Sequence, residues 1–340
     1  MSSFGDDETA EGDEVSEFET GGESSNPLQQ ANSLLKVFDA AKKAQRPAYF
    51  AAPMVRYSKL PFRALVRSYN VDVCYTPMIL AKEFNRSELA RDSDFTTNAE
   101  DRPLVVQFGA NSGEELSRAA ELVQPYCDGI DLNCGCPQSW ACQEGLGAHL
   151  MEDKRKVHDM IRAVKVRCGQ SFSVSVKIRV HADLKRTVEF VRAVEAAGVD
   201  YIGCHGRRRS QKSSEPVDLE AIRLVKEVAT VPIVANGDAF SLEEADYIAS
   251  LTGANGVMSA RGLLENPALF VGHGQTPWDT IERFLGLAVR YPLPYRLALH
   301  HISEMGAKML SRQDKAEMLD NRDMLSLVDW LESRSKIKRL

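Results

Sequence analysis

Gly129-Ile130-Asp131-Leu132-Asn133-Cys134-Gly135-Cys136-Pro137 is the stretch from which the fold can be read. From Gly129 to Leu132, small or polar residues alternate with apolar ones. The pattern then stops at Asn-Cys-Gly-Cys-Pro, as expected for a buried strand running into a tight loop. Such a loop presents a thiol at the carboxyl end of a strand. In a parallel α/β protein ligands collect at that end, because helices cover the flanks of the sheet and the loops converge there.

The same rhythm extends in both directions. Strands are expected at Tyr49–Pro53, Val73–Thr76, Leu104–Phe108, Ile130–Asn133, Ser173–Ile178, Tyr201–His205, Val231–Asn236 and Gly256–Ala260. Helical patterns fall between them at Lys59–Tyr69, from Ser112 to Pro125, and at Glu152–Arg167, Leu184–Ala197, Asp218–Val228 and Leu242–Ser250. Ser112 and Glu115 have the spacing of a capping box. This alternation predicts a (β/α)8 TIM barrel over residues 47–274, with a doubly wound open sheet as the alternative. Beyond Gly274 strand signals are few. Residues 275–340 read as a smaller all-helical domain, with helices such as Trp278–Val289 and Tyr295–Met309 and a basic end of Arg334, Lys336, Lys338 and Arg339.

Residues 1–46 differ in kind. The first 35 carry nine acidic residues and no Lys or Arg, leaving 39 acidic against 42 basic residues in the remainder, a net of +3 beneath an overall −6. Residues 1–30 are too polar to offset ordering entropy and are expected to be disordered, with a short helix at Leu34–Ala44. A slightly basic body permits a polyanionic partner without demanding one. With 340 residues and 44% hydrophobic content the chain can bury a sizeable core. No run of 18 apolar residues suggests a membrane span, and no basic-then-apolar leader is present. Seven cysteines, an odd count, point to free thiols in a reducing compartment, so a cytoplasmic or also nuclear monomer is expected.

The carboxyl ends of the expected strands gather polar and glycyl groups: Ala52-Pro53-Met54-Val55, Gln107, Asn133 and Cys136, Lys177 and Arg179, then His205, Arg207 and Arg209. The seventh strand ends in Asn236-Gly237-Asp238 and the eighth in Ala260-Arg261-Gly262. Small residues, backbone N–H groups and a forked guanidinium after the last two strands suit a phosphate. Ordinary turns would also use Asn-Gly. Lys177 reads equally as a rim cation or a snorkelling lysine, and His205 as a ligand contact or a core histidine. Cys127, Cys134, Cys136 and Cys142 are clustered, but the Cys-Gly-Cys spacing fits zinc poorly and no metal is expected.

Taken in order, these segments resemble the tRNA-dihydrouridine synthases, with details closest to the eukaryotic branch that acts on positions 20a and 20b. The matching pieces are Ala52–Val55, Asn133–Pro137 with Gly145–Leu150 behind it, Val176–Arg179, His205–Arg207, Asn236–Asp238, Met258–Gly262 and Asn266-Pro267. The resemblance implies an FMN enzyme that uses NADPH or NADH to reduce uridine in the tRNA D-loop. It puts Pro53, Met54, Val55 and Gln107 at the flavin ring, Lys177 and His205 at flavin and uracil, and Asn236, Gly237, Asp238, Ala260 and Arg261 at the phosphoribityl end. Asn133, Lys177, Arg179, Arg207 and Arg209 fall to the tRNA substrate, and the helical region to gripping tRNA. Cys136, directly before proline, would donate the proton. Two details depart from the family: Arg207-Arg208-Arg209 replaces an Arg-Thr-Arg pattern, and Ala260 replaces a glycine before Arg261.

The chemistry is coherent with that assignment. Saturating a ring double bond needs a hydride on one carbon and a proton on its neighbour. An ordinary thiol, titrating near about pH 8.5, is mostly protonated at neutral pH. A donor such as Lys177 would stabilise charge on the carbonyl oxygen, and the base must swing out of the tRNA to be reached. Two other readings stand beside this one: an FMN barrel acting on a small molecule, and a catalytically idle RNA-binding barrel.

Overall fold

Period-two alternation sorts the strand residues onto two faces, and each face builds its own core. A computed structural model of the chain describes residues 33–334. The acidic segment expected to be disordered lies outside the described residues, as do Lys336, Lys338 and Arg339.

The described residues begin with α1 (Ser33–Lys43), β1 (Ala48–Ala51), α2 (Leu60–Arg67), β2 (Val73–Tyr75), β3 (Ile79–Leu80), α3 (Ala81–Arg86) and α4 (Glu88–Asp94). The middle comprises β4 (Leu104–Gly109), α5 (Gly113–Val123), β5 (Gly129–Cys134), α6 (Ser139–Gln143), α7 (Lys154–Cys168), β6 (Ser173–Arg179), α8 (Leu184–Ala196) and β7 (Tyr201–His205). It continues through α9 (Leu219–Val228), β8 (Ile233–Asn236), α10 (Leu242–Thr252), β9 (Gly256–Ser259) and α11 (Arg261–Glu265). Four helices complete the described residues: α12 (Trp278–Arg290), α13 (Tyr295–Met305), α14 (Arg312–Leu319) and α15 (Met324–Ser333).

All strand pairs are parallel, in the order β2-β1-β9-β8-β7-β6-β5-β4, and β2 pairs with β4 through Cys74↔Leu104 and Tyr75↔Val105. That last pairing closes an eight-strand barrel and excludes the open sheet. Two-residue β3 lies alongside the end of β4, Ile79 opposite Phe108. The eight expected strands are the eight barrel strands; β3, α3 and α4 are additional.

Outward-facing residues such as Val106, Ile130, Leu132, Val174, Val176, Ile202 and Val257 form one hydrophobic cluster with the surrounding helices. Ile281, Phe284, Ile302, Leu327 and Leu331 of the C-terminal helices belong to that same cluster. Inward-facing Phe50, Tyr75, Val105, Tyr201, Val234 and Met258 form a second cluster, joined by Leu34, Phe38 and Ala41 of α1. Helix α1 therefore plugs the barrel from the amino-terminal end, with Phe38 stacked on Phe50 at 5.7 Å. Its apolar residues at i, i+4 and i+7 share one face. Burying Leu34 and Phe38 contributes about 3–6 kcal/mol. With the lower mouth filled by α1, the polar cleft of the barrel lies at the carboxyl-terminal mouth.

Inside the barrel the composition changes along the axis. Hydrophobic residues fill the lower part. Above them the register aligns Gln107 with Asp131 and Asp131 with Ser175, then Asn133 with Lys177 two residues further along. Arg179 pairs with His205, and His205 with Asn236. The upper layer is polar because β4 to β8 carry Gln107, Asn133, Lys177, His205 and Asn236 toward their carboxyl ends.

Candidate active site

Asp131 is buried inside the barrel and accepts hydrogen bonds from Ser175 Oγ at 2.7 Å and Gln107 Nε2 at 2.8 Å. Burial pushes its carboxyl up to about 6, with Ser175, Gln107 and Lys177 pulling the other way. Gln107 Oε1 in turn accepts from Asn133 Nδ2 at 2.8 Å. Asn133 Oδ1 accepts from the backbone N–H of Gly135 at 3.0 Å and of Cys136 at 2.8 Å. The loop that follows β5 is thus tied to the barrel interior through side-chain amides.

Cys136 is also held from outside. Its carbonyl oxygen accepts from Ala148 N at 2.9 Å, and Arg179 Nε donates to the Gly135 carbonyl at 2.8 Å. Of the seven cysteines, six are buried and Cys136 alone is partly exposed. Its sulfur is near enough to Lys177 and Arg179 to act electrostatically on both. Lys177 is lowered to about 8, chiefly by burial and then by Arg179. At neutral pH it remains mostly an ammonium.

His205 is lowered to about 2 by burial first, then by Lys177, Arg179, Arg207 and Arg261. It is a neutral imidazole whose Nε2 accepts from Arg207 Nη1 at 3.3 Å, which leaves the ring proton on Nδ1. Arg207 itself is buried: it donates to the Glu215 carbonyl at 2.7 Å and clamps both oxygens of Asp238. Arg261 shares Asp238, donating to Oδ1 at 2.8 Å. Asp238 sits at φ 52° directly after Gly237 at φ 151°, where an added Cβ would lie 2.4 Å from Val217 Cγ2. His205, Asn236, Gly237, Asp238, Ala260 and Arg261 line a cleft of about 80 Å³.

The structure therefore brings Gln107, Asn133, Cys136, Lys177, Arg179, His205, Asn236 and Arg261 to one rim. Pro53, Met54 and half-exposed Val55 follow β1 at the same end, with Met54 N fixed by Ser58 Oγ at 3.0 Å. Arg207 is not on the outer surface that a tRNA contact needs, whereas Arg208 and Arg209 are exposed. Arg179 is engaged in holding the cysteine loop. Sequence reasoning gave no role to Asp131, although an acid inside an apolar strand was a visible signal. It included Gly147 within Gly145–Leu150 but gave it no role; the residue sits at φ 60°, and its hydrogen side faces Cys136. No group of three or more metal-ligating side chains occurs among the described residues, and no described helix is long and apolar enough to cross a membrane.

The dihydrouridine synthase family model matches residues 50–329, which include the whole barrel rim. The chain belongs to that family. A relative from Schizosaccharomyces pombe, named tRNA-dihydrouridine(20a/20b) synthase [NAD(P)+], is 48% identical over 90% of this chain and 93% of its own. The human protein named tRNA-dihydrouridine(20a/20b) synthase [NAD(P)+]-like is 48% identical over 82% of this chain and 88% of its own. Among solved structures, histamine dehydrogenase from Rhizobium sp. 4-9 shares the fold at TM-score 0.50 and 11% identity, over 71% of this chain and 49% of that one.

Proposed function

We propose that this dihydrouridine synthase family member reduces uridine to 5,6-dihydrouridine in the D-loop of tRNA, at positions 20a and 20b, with FMN as cofactor and NADPH or NADH as reductant. The observation that carries the reading is the single partly exposed thiol, Cys136, on the same rim as Lys177, His205 and Arg261. The names of relatives that align over most of this chain support the substrate and the nicotinamide.

The donor set suits FMN. Gln107, Asn133 and Lys177 offer N–H groups to a polar ring edge, and the cleft beside Arg261 has room for a phosphate but not for a ring system. When bound and reduced, FMN supplies a hydride. The chain's own residues do the remainder. The Cys136 thiol gives its proton to the carbon next to the one that takes the hydride, so both electrons and both hydrogens of the saturated bond are accounted for. Lys177 donates toward the uracil carbonyl as charge develops there. Partial exposure lets solvent reprotonate the sulfur.

For tRNA, the favoured surface is a groove of about 610 Å³ between the β1–α2 loop and the C-terminal helices, lined by Arg56, Tyr57, Lys59, Tyr291, Arg296 and His300. Exposed Arg208 and Arg209 flank the mouth near Pro137. Cations among aromatics suit a phosphate backbone and splayed bases. Residues 275–334 are assigned this gripping role.

Purified protein should be yellow and release FMN. Incubated with NADPH and tRNA lacking the modification, it should form dihydrouridine at 20a and 20b, and Cys136→Ala should stop turnover with flavin still bound. Full activity in that variant, or a colourless protein that takes up no FMN, would overturn the reading.

A further inference from the structure

The geometry points to Asp131, one layer below the rim, as a positioning residue that fixes the polarity of the Gln107 and Asn133 amides and through them the backbone of Gly135 and Cys136. This rests on the function proposed above only for what the loop is used for; the relay itself stands on the hydrogen bonds.

A primary amide can face either way, and its orientation is set by its partners. An ionised carboxylate only accepts. Asp131 is buried, and its Oδ2 meets Gln107 Nε2 at 2.8 Å, so Gln107 must turn its NH2 inward and its oxygen toward Asn133. Asn133 must then give its own NH2, at 2.8 Å, which leaves Asn133 Oδ1 for the N–H groups of Gly135 and Cys136. Each link admits one orientation of the next. Reversing Gln107 would press its oxygen on the carboxylate and turn the Asn133 NH2 against two backbone donors, and both bonds to the loop would be lost. In the observed sense, Gln107 Nε2 and Asn133 Nδ2 each keep one further N–H. The chain therefore offers a ligand donors, suited to an acceptor edge.

The other end of the relay is adjustable. Ser175 Oγ, 2.7 Å from Asp131 Oδ1, can donate or accept, and it neighbours the Tyr75 hydroxyl at 3.4 Å, itself 2.6 Å from that of Tyr201. What the relay needs from residue 131 is an acceptor toward Gln107, not a charge. Asn at 131 can present its oxygen to Gln107 and its NH2 to Ser175. Alanine can do neither.

The test compares D131N, D131A and Q107M, reading backbone hydrogen exchange at Gly135 and Cys136 and the alkylation rate of Cys136 in flavin-free protein, with dihydrouridine formation measured separately. D131A should speed exchange at those two amides by about tenfold or more, the size expected for losing a buried hydrogen bond, and should lower kcat in parallel. D131N should stay within about threefold of wild type, since the bond is kept. Q107M, which removes the next link with Asp131 in place, should reproduce the D131A exchange pattern and keeps the test alive should D131A not fold. Wild-type protection in D131A or Q107M, or exchange in D131N as fast as in D131A, would overturn the relay. A wild type that makes no dihydrouridine would sink the proposed function and leave the exchange comparison to decide the relay.

Discussion

The carbonyl oxygen of Cys136 occupies the space that a Cβ on Gly147 would need: the two would lie 2.6 Å apart, and the Cys136 Cβ is only 2.8 Å away. Gly147 also has φ 60°, a region that costs a residue with a side chain about 1 kcal/mol or more. Gly147→Ala must therefore push the cysteine loop off the bonds it makes to Asn133 and Ala148. The expected outcome is a loss of kcat of about a hundredfold, the effect of an approximately 1 Å misplacement, with FMN affinity changed far less because the flavin donors Gln107 and Lys177 lie on β4 and β6. A single-turnover assay beside an FMN titration checks it, and equal losses in both would show that the clash spreads beyond the loop.

Asp238 bridges Arg207 and Arg261, and only Arg261 is exposed enough to turn toward a ligand. Arg261→Gln removes a guanidinium from the phosphate end and keeps the α11 backbone. Binding of FMN should weaken by about tenfold or more, the range for one charge-assisted hydrogen bond, with riboflavin, which has no phosphate, affected little. Fluorescence titration with both flavins checks this. An equal loss for the two would move Arg261 away from the phosphate.

Much of this site could be read in the sequence because a barrel strand writes its inward face at every second position. Gln107, Asn133, Lys177, His205 and Asn236 each lie within the last three residues of such a strand, and the closed register brings them together. What the sequence could not display were partners set by tertiary contact. Arg207 looks like a free surface cation among Arg208 and Arg209, yet the turn at Asp238 draws it inward. Helix α1 is expected from the sequence as a short helix behind a polar tail, but its place in the barrel is not, because only the open barrel mouth gives Leu34 and Phe38 something to cover. The two residues of β3 carry no periodicity, and α4 buries no residue at all, so neither leaves a pattern to read.

Beneath the β1–α2 loop, Asp101 is buried between two arginines, 2.6 Å from Arg63 Nη2 and 3.1 Å from Arg67 Nη2. Arg63 also donates to the carbonyls of Ser58 and Thr96, both at 2.6 Å, so the loop that carries Met54 and Val55 is tied to this pair. Asp101→Ala leaves a buried guanidinium without its counter-charge. The expected loss is about 3–5 kcal/mol of stability, measured by urea unfolding. A loss below about 1 kcal/mol, typical of exposed pairs, would mean that water reaches Arg63.

His301 is fully buried in α13, packed on Phe62 of α2 at 5.0 Å, on Phe284 of α12 at 4.8 Å and edge-on to Tyr57 at 5.4 Å. Neither ring nitrogen makes a hydrogen bond of normal geometry. Burial, and then His300, lower its imidazole to about 3, with a weak opposite pull from the Tyr57 backbone. The unfolded chain takes up a proton near its ordinary pKa of about 6.5 and the folded chain does not. The contribution is therefore fully present above that pH and is lost as pH falls, by up to about 1.4 kcal/mol per unit. His205 acts in the same direction, whereas Asp131, raised to about 6, binds its proton more readily when folded and opposes the loss below that pH. Replacing His301 isolates its share: His301→Phe should match or exceed wild-type stability at pH 7.5 and gain on wild type steadily from pH 6.5 to 5. Urea unfolding across that range decides it. A difference between the two proteins that does not change with pH would mean that the folded helical layer lets His301 take up its proton.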